Sequence, residues 1–177
     1  MKFYLAGQWV ERSETIPVLN PFDQQVIDTV PKATASDIEE ALAAATKGSD
    51  SMAALSAYDR FLILRKAADR LRKDKESLAT TLSAEEGKTL AEARSEIDRS
   101  AQTLELSGEE AKRLEGEVLP LDAGEGVQGK LGFTLRVPCG VVVAISPFNF
   151  PLNLVCHKIG PAIAGGNATI LKPASDT

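Results

Sequence analysis

The sequence has little of what marks a chain for a membrane, for the outside of the cell or for a nucleic acid. It contains no run of about 18 apolar residues and no charged start followed by an apolar signal core, so neither a membrane span nor secretion is expected. Its two cysteines, Cys139 and Cys156, are too few for a disulfide framework. Both stand in apolar stretches, which points to a reducing, cytoplasmic compartment. The net charge is −5 and no basic patch interrupts the modest acidity, so no electrostatic footprint for nucleic acid is present. His157 is the single histidine and has no Asp, Glu or Cys at ligand spacing, so no metal site is expected. The Gly-x-Gly-x-x-Gly pattern of a standard dinucleotide turn is also missing, and any such cofactor must be held in another way. Internal repeats and low-complexity linkers are absent. With 177 residues, the chain has room for one domain with its own core, or for parts of two.

What is present is unevenly distributed. Lys and Arg number 20 and Asp and Glu 25, yet between residues 136 and 177 only Arg136, Lys158, Lys172 and Asp176 are charged. A segment apolar on nearly every side is expected to be buried on more than one face, as a parallel strand and its crossover helix are. Residues 141–145 form a β-branched apolar run suited to a central strand. Residues 146–149 break it, Pro151 fits the first helical position, and Leu152, Val155, Ile159 and Ile163 recur at helical spacing. Gly165 and Gly166 are expected to supply left-handed residues closing that helix, after which residues 168–171 start a second strand stopped by Pro173. A strand, helix, strand unit binds ligands beyond the carboxyl ends of its strands, here the loop 146–150 and the residues from Lys172 onward. The amide of Asn149 stands at the start of the helix.

The first part of the chain reads as mainly helical. Residues 3–5 and 8–10 flank Ala6 and Gly7 as a short hairpin, and a strand is expected near 26–30. Ser36 and Glu39 have the spacing of a capping box, with Ile38, Leu42 and Ala45 as an inward stripe and Gly48 as the stop. A second helix is expected from Ala57 to Lys73 behind Ser56, with Leu64, Ala67, Ala68 and Leu71 facing inward, and a third from about Asp74 to Gly87. Thr89 and Glu92 make a capping box for a long helix with Leu90, Ile97, Ala101, Leu104 and Ala111 on one face, fading near 113–116. Leu131, Phe133, Leu135 and Val137 alternate with polar or small residues, the pattern of a half-buried strand pairing with residues 118–121. The fold class is α/β.

The run Pro147-Phe148-Asn149-Phe150-Pro151, then Lys158, Gly160-Pro161-Ala162, Gly166-Asn167 and Lys172-Pro173, resembles the aldehyde dehydrogenase superfamily nearly continuously. Asn20-Pro21, Val26-Ile27, Val30-Pro31, Ala33-Thr34 and Asp37, with Glu109-Glu110-Ala111 and Gly116-Glu117, extend the likeness upstream. The resemblance implies the amino-terminal portion of such an enzyme. Residues 1–116 would be the mainly helical start of the cofactor-binding domain, 117–137 an oligomerisation hairpin, and 138–177 the start of a Rossmann-like sheet. The catalytic domain, with the family's cysteine nucleophile, glutamate base and glycine-rich turn, lies later in relatives, so this segment is expected to be inactive alone.

By the same resemblance, Asn149 donates to the aldehyde oxygen as it becomes an oxyanion, although spacing alone favours a turn residue before a helix. Ile145, Ser146, Pro147 and Phe148 line the cofactor groove, and Lys172 reaches the adenosine ribose hydroxyls, although by pattern alone it is a solvated end-of-strand lysine. Ser175 stands where many NAD-selective relatives have a repelling glutamate, which permits NADP as well as NAD. Some relatives acting on anionic small aldehydes have an arginine at a similar place in the long helix, which makes Arg99 a candidate substrate-anion contact, although helical spacing alone reads it as balancing nearby carboxylates. Lys158 is a support near the site. Cys139 and Cys156 lie outside the nucleophile motif. The partners implied are a small aldehyde, the remainder of the enzyme chain and a second subunit through 117–137. A coenzyme A-acylating semialdehyde dehydrogenase or reductase of the superfamily, or a non-catalytic assembly half-domain, stays open.

Overall fold

Three of the five helices begin where a hydroxyl in extended backbone meets an orphan N–H group. The computed structural model describes residues 1–175. Helix α2 (Ala57–Lys73) is capped by Ser56, whose hydroxyl accepts from the N–H of Asp59 at 3.1 Å, and Arg70, Arg72 and Lys73 in its last turn complement the helix dipole. Helix α4 (Leu90–Ala111) opens with the expected reciprocal box between Thr89 and Glu92. Between them α3 (Lys75–Glu86) ends at Gly87, as the pattern implied.

Helix α1 (Ala35–Ala53) departs from expectation at both ends. Its capping box is Thr34 with Asp37 rather than Ser36 with Glu39. The reason is a distant partner: Arg12 pairs with the Asp37 carboxylate, which also accepts from the Thr34 N–H at 2.7 Å. Those hydrogen bonds, Arg12 first, hold the Asp37 carboxyl well below the usual range. The helix then runs through Gly48 rather than stopping there. Its inward face is the small-residue series Ala41, Ala44, Ala45 and Gly48, followed by Met52, whereas Ile38 and Leu42 point to solvent.

The core forms where α4 packs between α2 and α5 (Pro151–Ala164), with α3 on its flank. Leu64, Ala68, Ala101, Leu104, Ala111, Cys156 and Ala164 make one buried cluster, and Ala79, Leu82, Ala93 and Ile97 a second. The two helices α4 and α5 cross closely at Gly160, where a Cβ would stand 2.7 Å from the Ser107 hydroxyl. In α5 the innermost residues are Asn153, Cys156, Gly160, Ala162 and Ala164, while Leu152, Val155, Ile159 and Ile163 are half-buried. Close approach selects small residues on the innermost face; the larger aliphatic ones lie beside it.

Two antiparallel pairs open the chain: β1 (Phe3–Leu5) with β2 (Gln8–Val10), and β3 (Thr15–Leu19) with β4 (Val26–Pro31). Strand β3 was not legible, because Pro17 interrupts the run and most of it is exposed. A third pair joins β5 (Val118–Leu119) to β6 (Gly132–Phe133) in a ladder of only two residue pairs. The expected pairing exists, but the half-buried stripe does not: Leu131, Phe133, Leu135 and Val137 are all exposed.

Strands β7 (Val141–Ile145) and β8 (Ala168–Lys172) are parallel, in register from Val141 with Ala168 to Ile145 with Lys172, and α5 is their crossover. Only Gly166 of the glycine pair is left-handed (φ +81°); Gly165 keeps right-handed helical geometry at φ −76°. Burial on more than one face holds for part of this unit alone. Ala144 is buried, but Val143, Ile145 and Leu171 stay exposed, since this sheet has two strands among the described residues and no further layer covers them.

Candidate active site

The loop after β7 is anchored at both ends before it presents any side chain. At its start, the Ser146 N–H donates to the carbonyl of Lys172 at 3.2 Å, and Ser146 itself is buried. At its end, Phe150 occupies the N-cap of α5 with no side-chain acceptor, and Pro151 takes the first helical position, where it has no N–H to satisfy. The next two N–H groups, of Leu152 and Asn153, donate to Glu96 Oε1 at 3.0 and 3.1 Å. Glu96 comes from α4 and is 0% exposed.

A buried carboxylate needs partners. The ammonium of Lys88, in the turn between α3 and α4, lies 2.6 Å from Glu96 and 3.0 Å from Glu86. Burial pushes the Lys88 pKa down, but the hydrogen bonds and charges of Glu96 and Glu86 outweigh it and hold that pKa above its ordinary range. The same ammonium is 3.4 Å from the carbonyl oxygen of Asn149 and 4.9 Å from the centre of the Phe150 ring. Arg99 approaches that ring at 4.7 Å.

Asn149, Phe150 and Arg99 therefore meet. With Glu86, Lys88, Glu92 and Ser95 they line an open cavity of about 490 Å³. Arg99 also borders a second hollow of about 320 Å³ with Gln102, Thr103, Leu106, Asn153 and His157. The structure thus places Asn149 and Arg99 on the wall of one cavity, although the loop and α4 are far apart in sequence.

The other predicted positions gather at the carboxyl edge of β7 and β8. Ile145 and Phe148 are 63% and 56% exposed, and between them stand the buried Ser146 and the exposed Pro147. Lys172 is the register partner of Ile145, and its ammonium is 2.9 Å from the Pro173 carbonyl and 3.4 Å from the Ser175 hydroxyl.

The cysteines differ from one another. Cys156 is buried, and burial, weakened by a Ser100 hydrogen bond and reinforced by the Glu96 charge, pushes its thiol up to about 11. Cys139 is exposed rather than set among apolar groups, a correction to the sequence reading. Its sulfur lies 3.1 Å from Asn167 Oδ1, which also accepts the N–H groups of Cys139 and Gly140 at 2.7 and 3.0 Å. Asn167 Nδ2 donates to the Ala162 carbonyl at 3.0 Å, so this one side chain ties the entry of β7 to the end of α5. His157 is exposed and Lys158 half-buried. Among the described residues there is no cluster of His, Cys, Asp and Glu able to hold a metal ion, and no helix is long and apolar enough to cross a membrane.

Sequence reasoning missed Lys88, Glu96, Phe150 and Asn167 as organisers of the site. Glu96 left one signal: it follows Ala93 by three positions and precedes Ser100 by four, so it falls on the face of α4 that turns inward. A charge on such a face requires a specific counterpart.

Residues 9–177 match the model of the aldehyde dehydrogenase family. The 3-sulfolactaldehyde dehydrogenase of Priestia megaterium is 44% identical over 174 residues, which are 98% of this chain and 36% of that protein. Aldehyde dehydrogenase 21 of Physcomitrella patens, solved with its reaction product succinate, superposes with a TM-score of 0.95 at 40% identity, covering 99% of this chain and 37% of that one. An NAD-dependent benzaldehyde dehydrogenase of Corynebacterium glutamicum gives a TM-score of 0.91 at 36% identity, over 99% and 38%. The chain spans a little over a third of the length of the relatives it matches, and within them it corresponds to a mixed α/β amino-terminal part. By sequence and by fold, this chain belongs to the aldehyde dehydrogenase family.

Proposed function

We infer that this chain supplies the carbonyl-polarising donor and one side of the cofactor groove of an NAD(P)-dependent aldehyde dehydrogenase. The observation that carries the reading is the convergence of Asn149 and Arg99 on one open cavity at the mouth of a strand, helix, strand unit. A carboxamide N–H there can donate to an aldehyde oxygen as a thiolate from the remainder of the enzyme adds to the carbonyl and negative charge develops. Thiohemiacetal and thioester stages then lead to the carboxylic acid, with a glutamate beyond this chain activating water. A donor fixed before the reaction stabilises the transition state without the cost of turning solvent dipoles.

Bound NAD(P)+ supplies the hydride acceptor. The exposed apolar faces of Ile145 and Phe148 suit the flat groups of a dinucleotide, and the Lys172 ammonium, which meets the Pro173 carbonyl and the Ser175 hydroxyl at the surface, can turn to ribose hydroxyls. Ser175 brings no negative charge, so a 2′-phosphate meets no repulsion there.

Arg99 gives the substrate its class, a small aldehyde carrying an anionic group at its far end. The sulfonate in the substrate of the Priestia relative and the succinate bound by the moss enzyme favour that choice. On this reading residues 1–116 begin the cofactor domain, 117–137 join another subunit, 138 onward start its sheet, and the isolated chain turns over no aldehyde. Two free thiols suit a cytoplasmic location.

The test is Asn149→Ala in the enzyme with the complete fold. The turnover number should fall about 100- to 1,000-fold, while the dissociation constant for the cofactor stays unchanged. A turnover number equal to wild type overturns the role.

A further inference from the structure

Helices α1, α2 and α4 each carry their own hydroxyl cap, Thr34, Ser56 and Thr89, but α5 does not. Its first-turn N–H groups are met instead by a carboxylate reaching across from α4, Glu96, at 3.0 and 3.1 Å. An anion at that place is favoured by the positive end of the helix dipole. Borrowing the cap through space leaves position 150 free for Phe, a residue that cannot cap but whose ring supports Arg99 at 4.7 Å and Lys88 at 4.9 Å. Lys88 completes the arrangement, bonding Glu96 at 2.6 Å and reaching the Asn149 carbonyl at 3.4 Å. The Asn149 carbonyl and the N–H groups of Leu152 and Asn153 are thus held by an ion pair from another part of the chain, the half-buried Lys88 and the buried Glu96.

We propose that Glu96 and Lys88 are positioning residues that aim the Asn149 carboxamide at the substrate oxygen by fixing the backbone from Asn149 to Asn153. The proposal rests on the oxyanion role given to Asn149. Glu96 touches neither substrate nor cofactor; it acts through the start of α5. Since catalytic groups lose about a hundredfold in rate for a displacement near 1 Å, a cap that sets the helix start also sets turnover.

The experiment is a double-mutant cycle in the enzyme with the complete fold. Glu96→Gln keeps an oxygen for the two N–H groups but loses one of the two charges that hold Lys88, leaving Glu86 alone at 3.0 Å, whereas Glu96→Ala leaves both groups unmet. The turnover number should fall about tenfold for E96Q and about a hundredfold for E96A, with the KM for NAD(P)+ changed by less than about twofold. In the N149A background E96Q should lower turnover no further, because the group it positions is already gone. Equal factors in both backgrounds overturn the clamp and leave the role of Asn149 intact. An N149A enzyme with undiminished turnover overturns both. Should E96A fail to fold, hydrogen exchange of E96Q decides: the Leu152 and Asn153 amides should lose protection while those of β7 keep theirs, and unchanged protection at both overturns the proposal.

Discussion

The junction of α4 with α5 and the hairpin of β5 with β6 are both rich in apolar residues in the sequence, yet they end in opposite environments. At the junction, Ile97, Ala101 and Leu104 are buried, and even a carboxylate, that of Glu96, is enclosed against a half-buried ammonium. In the hairpin, two residue pairs form the ladder, and Leu135 and Val137 remain 71% and 77% exposed. Alternation in a strand records which face is meant to be covered. It does not record who covers it. Helices α2, α4 and α5 cover one another, so their pattern and their burial agree. The hairpin has no such neighbour among the described residues, and its stripe stays open.

Removing a side chain from the enclosed region should have the largest effect. Ile97 is 0% exposed in a cluster with Ala79, Leu82 and Ala93, so Ile97→Ala leaves a cavity that its small neighbours cannot fill. A loss of about 2–5 kcal/mol in urea unfolding of this chain is expected. A loss below about 0.5 kcal/mol would mean that this part of the chain is as loosely packed as the hairpin.

Lys88→Met should cost less, about 1–3 kcal/mol, because Glu96 keeps the two N–H groups of α5 after its ammonium partner is gone. The effect carries a pH signature. The Lys88 pKa is raised above its ordinary 10.5 in the folded chain, so the stability it contributes is complete below that value and is lost as pH rises through the folded pKa. The gap between wild type and K88M, followed by thermal unfolding, should be constant from neutral pH to about pH 10 and narrow above it. A constant gap to the alkaline limit would remove the charge from the explanation and leave only shape.

The same contrast explains what was legible in the sequence. Caps built from neighbouring residues were readable, as at Ser56 and at Thr89 with Glu92, because both partners lie within four positions. The strand, helix, strand unit was readable too, since the β-branched run, Pro151 and the helical spacing are local signals. Caps decided by distant partners were not. Arg12 moved the start of α1 to Thr34, and Glu96 took over a helix start more than 50 positions later in the chain. For the candidate site the pattern supplied the strand ends and the place of Asn149 at the helix start, and the family likeness supplied the roles of Asn149, Lys172 and Arg99. The buried Glu96 and its partner Lys88 came only with the packing, because a charge on an inward face has meaning once its counterpart is known.

The smallest effect on folding is expected in the hairpin, and it is also the one that separates the two regions most sharply. Replacing Leu135 and Val137 by Glu removes apolar surface that the folded chain does not bury, so the unfolding free energy of the single chain should change by less than about 0.5 kcal/mol. Association should change instead. An exposed strand edge beside apolar side chains recruits a further strand, and like charges on that edge oppose it. Sedimentation of the wild-type chain over a range of concentrations should show a larger species that the L135E/V137E chain lacks. If the wild type is a strict monomer throughout, the surface at 117–137 does not serve subunit contact. If the double substitution unfolds the chain, the hairpin belongs to the core after all, and the difference between the two regions disappears.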